Sequence, residues 1–100
     1  MATLRKSPRA GKKYMVALND RKDTRVHFGA TGYSDFTLHK DATRKESYIS
    51  RHRPGQRWGK SGIKTAGFWA RWVLWNKPTL RGSLRDIKRR FGISVRLEIG

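Results

Sequence analysis

The chain has 100 residues, with 24 Lys and Arg against seven Asp and Glu, which gives a formal net charge of +17. A chain of this length forms one domain with a small core, and the lack of cysteine excludes disulfides and thiolate metal sites. No stretch approaches the ~18 consecutive apolar residues of a membrane-spanning helix, and no apolar signal core follows the basic N-terminus. We therefore expect neither secretion nor a membrane partner, and the excess positive charge predicts an anionic partner.

The N-terminal part of the chain predicts an arm followed by a hairpin. Residues 1–11 are basic, contain Pro8 and Gly11, and show no hydrophobic periodicity, which predicts a flexible basic arm. Residues 12–18 (KKYMVAL) and 24–29 (TRVHFG) are rich in strand-forming residues and flank a polar segment. This pattern is typical of two antiparallel strands joined by a turn.

A first helix is predicted from about Asp41 to Arg53. The side chain of Asp41 can cap its first turn, and the following Pro54–Gly55 pair stops it. A glycine-rich basic loop comes next, and its Trp58 is our candidate for an exposed aromatic side chain.

The aromatic segment, residues 65–80 (TAGFWARWVLWNKPTL), predicts a second helix that ends at Pro78. In helical geometry Trp69, Trp72 and Trp75 step by three residues, so the helix is apolar over much of its circumference. We predict that it is mainly core. Docking on a protein partner and stacking on nucleic-acid bases are the alternatives.

The last predicted helix starts at about Ser83, with Ser83 and Asp86 as a capping pair and Gly92 at its C-terminal end. Residues 93–99 alternate strictly between apolar and polar side chains, which predicts a strand. We therefore predict an α+β fold over residues 12–100: a small antiparallel sheet, made of the N-terminal hairpin and the C-terminal strand, packed with about three helices.

Four side chains form a candidate polar site, namely Asp35, His39, Asp41 and His52. A metal-dependent nuclease would use His39, Asp41 and His52, which is one alternative for the function. No two of the histidines have a recognised metal-ligand spacing, and no glycine-framed serine nucleophile is present. We therefore expect a protein that is not an enzyme and has no metal or cofactor.

Basic residues are spread along the chain, and two groups of them stand out: residues 40–64 contain eight Lys and Arg, and the last predicted helix contributes Arg85, Lys88, Arg89 and Arg90 on the sides away from its apolar face. No zinc-finger, basic-zipper or ribonucleoprotein motif accompanies them, so phosphate contacts without sequence readout are expected. The predicted phosphate-binding residues are Arg44, Lys45, Arg51, Arg53, Arg57, Arg85, Lys88, Arg89 and Arg90.

Three stretches resemble a known family: VHFGATGYSDFTLHKDATRKESYISRH, IKTAGFWARWVLWNKPTL and SLRDIKRRFGI, which cover most of residues 13–93. The sequence is similar to short, basic, functionally uncharacterised proteins encoded by large double-stranded DNA viruses of algae and amoebae. The resemblance implies a viral origin and a role in the virion or at the genome, and it assigns no catalytic residues.

These observations together predict non-enzymatic, largely sequence-independent binding of nucleic acid, DNA more than RNA. The expected locations are the virion, the host nucleus or a cytoplasmic viral factory. A minor capsid or internal virion protein that docks on other capsid proteins is the main alternative.

Overall fold

Four strands form a mixed sheet in the computed structural model, which describes residues 1–98. The order across the sheet is β3-β2-β1-β4, and the strands are β1 (Ala2–Lys6), β2 (Lys12–Ala17), β3 (Arg25–Ala30) and β4 (Val95–Glu98). Strand β2 pairs antiparallel with β1 and β3, whereas β1 and β4 run parallel. The predicted hairpin and C-terminal strand are thus confirmed, although the sheet is not purely antiparallel. Ile99, predicted at the end of the last strand, lies outside the described residues.

The prediction of a flexible arm over residues 1–11 is wrong for its first half. Strand β1 lies between β2 and β4, and Leu4, which is fully buried, pairs with Val16 on one side and Leu97 on the other. The sequence of the strand, ATLRK, contains one large apolar residue, so it lacks the alternating hydrophobic pattern that would predict a strand. The strand is held by backbone hydrogen bonds to β2, the next strand in the chain, and to β4, from the far end of the described chain.

The helices are α1 (Phe36–His39), α2 (Ala42–His52), α3 (Ala66–Trp69) and α4 (Leu80–Phe91), with short 3-10 turns at Arg53–Gly55 and Lys60–Gly62. As predicted, the Asp41 carboxylate caps α2 by accepting the backbone N–H groups of Thr43 and Arg44. The architecture is α+β. None of the helices within residues 1–98 is long and apolar enough to cross a membrane.

Helix α4 begins three residues earlier than the sequence predicts. Its N-cap is Thr79, whose hydroxyl accepts the N–H of Gly82. Ser83 is instead buried, and its hydroxyl accepts the backbone N–H of Lys77. Gly92 ends the helix as predicted, because its φ of 72° is in the left-handed region that glycine adopts without strain.

The aromatic segment forms the core, as predicted. Phe68 and Trp69 are fully buried, and the Trp69 indole Nε1 donates to the Ile63 carbonyl at 2.6 Å. Helix α3 continues into one π-helical turn, Ala70–Leu74, in which the N–H of Trp75 donates to the carbonyl of Ala70. A π-helical turn holds an additional residue, so Trp75 leaves the buried stripe that an uninterrupted α-helix would continue. Its ring packs instead on α2.

Candidate nucleic-acid interface

The buried carboxylate of Asp86 binds two arginines of its own helix, α4. Its side chain is 3 % exposed and accepts hydrogen bonds from Asn76 at 2.9 Å, from Arg89 at 2.6 Å and from Arg90 at 3.2 Å. Burial alone would raise the pKa of Asp86, but the hydrogen bonds from Asn76, Arg89 and Arg90 outweigh it and lower the pKa to about 2. The carboxylate is therefore ionised at neutral pH and holds the two guanidinium groups in place.

Two further cations reach the same region from α2 and from the π-helical turn. The Lys45 ammonium donates to the Asn76 carbonyl at 2.7 Å, and a guanidinium nitrogen of Arg71 donates to the Trp75 carbonyl at 2.8 Å. Burial, followed by the charges of Arg71, Lys77 and Arg90, lowers the pKa of Lys45 below its ordinary value of 10.5. The pKa of Arg71 is also lowered, by burial and by the nearby charges of Arg90 and Arg53.

Two more cations are near enough to act on these groups, because the charge of Lys77 lowers the pKa of Lys45 and that of Arg53 lowers the pKa of Arg71. We call the six basic residues the cationic cluster: Lys45, Arg53, Arg71, Lys77, Arg89 and Arg90. Among residues 1–98, Asp86 is the one carboxylate whose charge opposes the lowering of the pKa of Lys45 and of Arg71. Burial is the main cause of the lowered pKa of Lys45, and repulsion from the charges of Arg71, Lys77 and Arg90 lowers it further. A bound anion would remove that repulsion.

Aromatic faces hold the guanidinium groups of the cationic cluster. The Arg71 guanidinium lies 4.3 Å from the ring centre of Trp72 and 5.4 Å from that of Trp58, and Arg90 lies 4.6 Å from Trp72. Such contacts are attractive because the ring face carries negative charge. Trp58 is therefore partly buried against Arg71, and our prediction of an exposed Trp58 is wrong.

A stack of aromatic rings joins α2 to the π-helical turn. The rings of Tyr48 and Trp75 lie 4.4 Å apart, those of His52 and Tyr48 4.3 Å apart, and those of His39 and Trp75 5.3 Å apart. The stack holds α2 in an orientation in which its side chains contribute to two different surfaces. Lys45 points to the cationic cluster on one side, and Arg44 and Arg51 line a groove on the other.

This groove, which we call the α2 groove, has a volume of about 450 Å³. Its walls are α2 and the loop after β3, and its lining includes Tyr33, Ser34, Arg44, Tyr48, Arg51, His52 and Trp75. Asp35 also lines it, but the Lys13 ammonium neutralises this carboxylate at 2.6 Å. Neither Arg44 nor Arg51 forms an ion pair with any residue in the range 1–98. The groove is therefore aromatic and positively charged.

The predicted phosphate-binding residues fall on three surfaces rather than one. Lys45, Arg53, Arg89 and Arg90 belong to the cationic cluster, and Arg44 and Arg51 to the α2 groove. Arg85 and Lys88 lie on the flank of α4 that faces β4, where they line a shallow groove of about 340 Å³ with Arg81. Arg57 is exposed in the loop between the two 3-10 turns and lines none of these surfaces.

Our sequence analysis missed Arg71, Lys77 and Tyr33. Arg71 stands inside the aromatic segment, where it was assigned no role, yet an arginine next to Trp72 is a pattern that cation–π contacts explain. Lys77 follows Asn76, whose amide bonds Asp86. No pattern in the sequence predicts that Tyr33 is exposed.

The candidate polar site does not form a single site. Asp35 and Asp41 each cap a helix, and the His39 ring accepts the backbone N–H of Asp41. Asp41 and His52 are at opposite ends of α2, about 16 Å apart by the rise of the helix. Within residues 1–98 no three His, Asp or Glu side chains are grouped to hold a metal ion. The structure thus gives no support to the nuclease alternative.

Residues 2–52 match the family described as a family of unknown function, DUF5754, which covers half of the chain. The chain belongs to this family. The DUF5754 match extends from β1 to the end of α2, so it includes Arg44, Lys45 and Arg51 but neither Trp75 nor Asp86. No curated protein and no solved structure matches the chain.

Proposed function

We propose that this protein binds nucleic acid without catalysing a reaction, through phosphate contacts that are largely independent of base sequence. The observation that carries the proposal is the cationic cluster, in which six basic side chains share one buried carboxylate, Asp86, and two of them bind it. A polyanion such as a phosphate backbone would supply the negative charge that this surface lacks.

The balance of charge in the cluster favours binding. Asp86 already accepts two guanidinium groups, so it cannot also neutralise Lys45, Arg53 and Lys77. Phosphate groups would supply the missing negative charge, and their counterions would be released to solvent. With six such contacts, the affinity should fall roughly 10³-fold when the salt concentration is raised from 50 to 200 mM.

The way in which the cluster is built supports binding without sequence readout. Arg71 and Arg90 lie over the ring of Trp72, and Lys45 is fixed by the Asn76 carbonyl, so the charges are positioned rather than freely mobile. Guanidinium and ammonium groups bind phosphate oxygens of any sequence. Binding to a double-stranded DNA backbone therefore needs no insertion of a helix into a groove.

The resemblance to proteins of large DNA viruses gives this proposal its biological setting. We propose the viral genome as the target, in the virion, the host nucleus or a cytoplasmic viral factory. The protein should then be detected by mass spectrometry in purified virions or in viral DNA cross-linked during infection, and its absence from both would contradict this setting.

Docking on capsid proteins has less support. The exposed large apolar side chains among residues 1–98 are Met1, Tyr33 and Leu38, and each borders a different groove. Three separated side chains do not make the contiguous apolar patch that marks a stable protein interface.

The test compares two double variants that remove equal charge. Arg53→Gln with Lys77→Gln removes two exposed cations of the cluster, and Arg21→Gln with Lys22→Gln removes two exposed cations from the β2–β3 turn. Fluorescence anisotropy of a labelled 20-base-pair duplex is followed at several salt concentrations. The cluster variant should flatten the slope of log Kd against log salt by nearly two units, and the turn variant by less than one. Equal effects of the two variants would contradict a localised site.

A further inference from the structure

The α2 groove has features that phosphate binding alone does not explain. Tyr33 is 74 % exposed although it stands at the rim of a groove whose other walls include Tyr48 and Trp75. A volume of about 450 Å³ is within the ~300–1,000 Å³ range of pockets that hold small ligands. Aromatic walls of this kind present flat apolar surfaces to a planar ligand.

The rigid side of the groove is the aromatic stack. Tyr48 lies on Trp75 with an interplanar angle of 5°, and the exposed His52 ring follows Tyr48 at 30°. These rings are fixed by α2 and the π-helical turn. Tyr33 lines the same groove from the loop after β3, next to Gly32, which has a φ of 86° that a residue with a side chain rarely adopts. A planar group in the groove would lie beside aromatic rings of both α2 and this loop.

The charged rim of the groove selects an anionic ligand. Arg44 and Arg51 lie seven residues apart, and so about 10 Å along the same side of α2. Their guanidinium groups thus border the groove at two separate points. The Ser34 hydroxyl at the rim adds a polar group, and the Lys13–Asp35 ion pair leaves no free acidic charge there.

We infer that the α2 groove binds an unpaired nucleobase, stacked between Tyr33 and the aromatic stack, with the adjoining phosphates on Arg44 and Arg51. This inference rests on the proposed function and narrows it: the protein binds nucleic acid with unpaired bases more tightly than a continuous duplex. A base within a duplex is already stacked on its neighbours and cannot enter, whereas a single strand leaves its base faces free.

Two probes of identical base sequence test the inference: a labelled 20-nucleotide single strand with a central 2-aminopurine, and the corresponding duplex. At 150 mM salt the single strand should bind at least about fivefold more tightly, because stacking on an aromatic ring adds roughly that much per base. The 2-aminopurine fluorescence should be quenched on binding. Equal affinities for the two probes, or unchanged fluorescence, would overturn the inference.

Variants of exposed residues assign the effect to the α2 groove. Tyr33→Ala should weaken single-strand binding roughly fivefold or more and change duplex binding less than about twofold, whereas Tyr33→Phe should retain both affinities. Leu38→Ala is the control, because this residue of α1 is 64 % exposed but lies outside the groove. An equal loss for both probes with Tyr33→Ala would overturn the inference.

The same titrations separate this inference from the proposed function. If the duplex binds with a steep salt dependence and the single strand binds no better, the groove does not take a base, and phosphate binding stands. If neither probe binds at 150 mM salt, both the proposed function and the inference are wrong.

Discussion

Tyr48 of α2 lies flat on Trp75 of the segment that follows the π-helical turn, with ring centres 4.4 Å apart. This contact joins the half of the chain that matches DUF5754 to the half that does not. It also places Lys45 and Arg44, on adjacent positions of α2, beside two different surfaces. The stack is thus the structural link between the cationic cluster and the α2 groove.

Removing this stack should destabilise the fold. Tyr48→Ala deletes a ring that contacts Trp75 and His52, and we expect the free energy of unfolding to fall by about 2–3 kcal/mol. Tyr48→Phe keeps the ring and should cost less than about 1 kcal/mol. Urea denaturation followed by tryptophan fluorescence measures both values. A Tyr48→Ala variant as stable as the wild type would show that α2 is held by other contacts.

The central position of β1 can be tested through Leu4. Because this side chain is fully buried between Val16 and Leu97, Leu4→Ala should lower the free energy of unfolding by about 2–4 kcal/mol. Arg5→Ala, on the exposed side of the same strand, should change it by less than about 1 kcal/mol. A neutral Leu4→Ala would instead restore the interpretation of residues 1–11 as a flexible arm.

Asp86 predicts a loss of stability in acid. Its pKa is about 2 in the folded protein and 3.8 ordinarily, so the unfolded chain binds a proton more readily. The stabilisation, about 2 kcal/mol, is therefore complete above about pH 4 and is lost as the pH falls towards 2.

The matched comparison for Asp86 is the Asp86→Asn variant. The pKa of Asp20 is also lowered, mainly by hydrogen bonds from Thr24, so the wild type alone would not isolate Asp86. The difference in unfolding free energy between wild type and Asp86→Asn should shrink from pH 5 to pH 2. A difference that is constant over this range would contradict the role assigned to the carboxylate.

Lys45 predicts weaker nucleic-acid binding at high pH. Since burial and the charges of Arg71, Lys77 and Arg90 lower the pKa of Lys45, it loses its proton before exposed lysines do, and the phosphate contact that we propose for it should weaken. Affinity for a duplex at constant salt should therefore begin to fall at a pH below 10.5, the ordinary pKa of lysine. In Lys45→Arg, whose guanidinium stays charged, the decrease should be smaller. The same decrease in wild type and Lys45→Arg would exclude Lys45 as the titrating group.

Elements with a strong local pattern could be predicted from the sequence. The hairpin has strand-forming residues on both sides of a polar turn, α2 has a capping aspartate, and Gly92 has the conformational freedom that a helix end requires. Strand β1 could not be predicted, because its position depends on pairing with β2 and with β4, which is about 90 residues away. The early start of α4 could not be predicted because the hydroxyl of Thr79 accepts an N–H of its first turn, whereas that of Ser83 accepts the N–H of Lys77, which precedes the helix.

For the site, the sequence predicts only a general tendency to bind phosphate. The density of Lys and Arg indicates phosphate binding, but composition does not show which cations meet. On helix α4, Arg89 and Arg90 bind Asp86, whereas Arg85 lies on the side that faces β4. Which arginine lies on which side depends on how the helix packs. Arg71 joins the cationic cluster because the π-helical turn and Trp72 place it there. Such packing is a property of the whole fold.

The most direct test of the central claim is the salt dependence of wild-type binding to a 20-base-pair duplex between 50 and 300 mM salt. Contacts from the whole cationic cluster predict a slope of about −5 in a plot of log affinity against log salt, with binding still measurable at 150 mM. A slope near zero, or no binding at 150 mM, would contradict the proposal that the cluster binds a phosphate backbone.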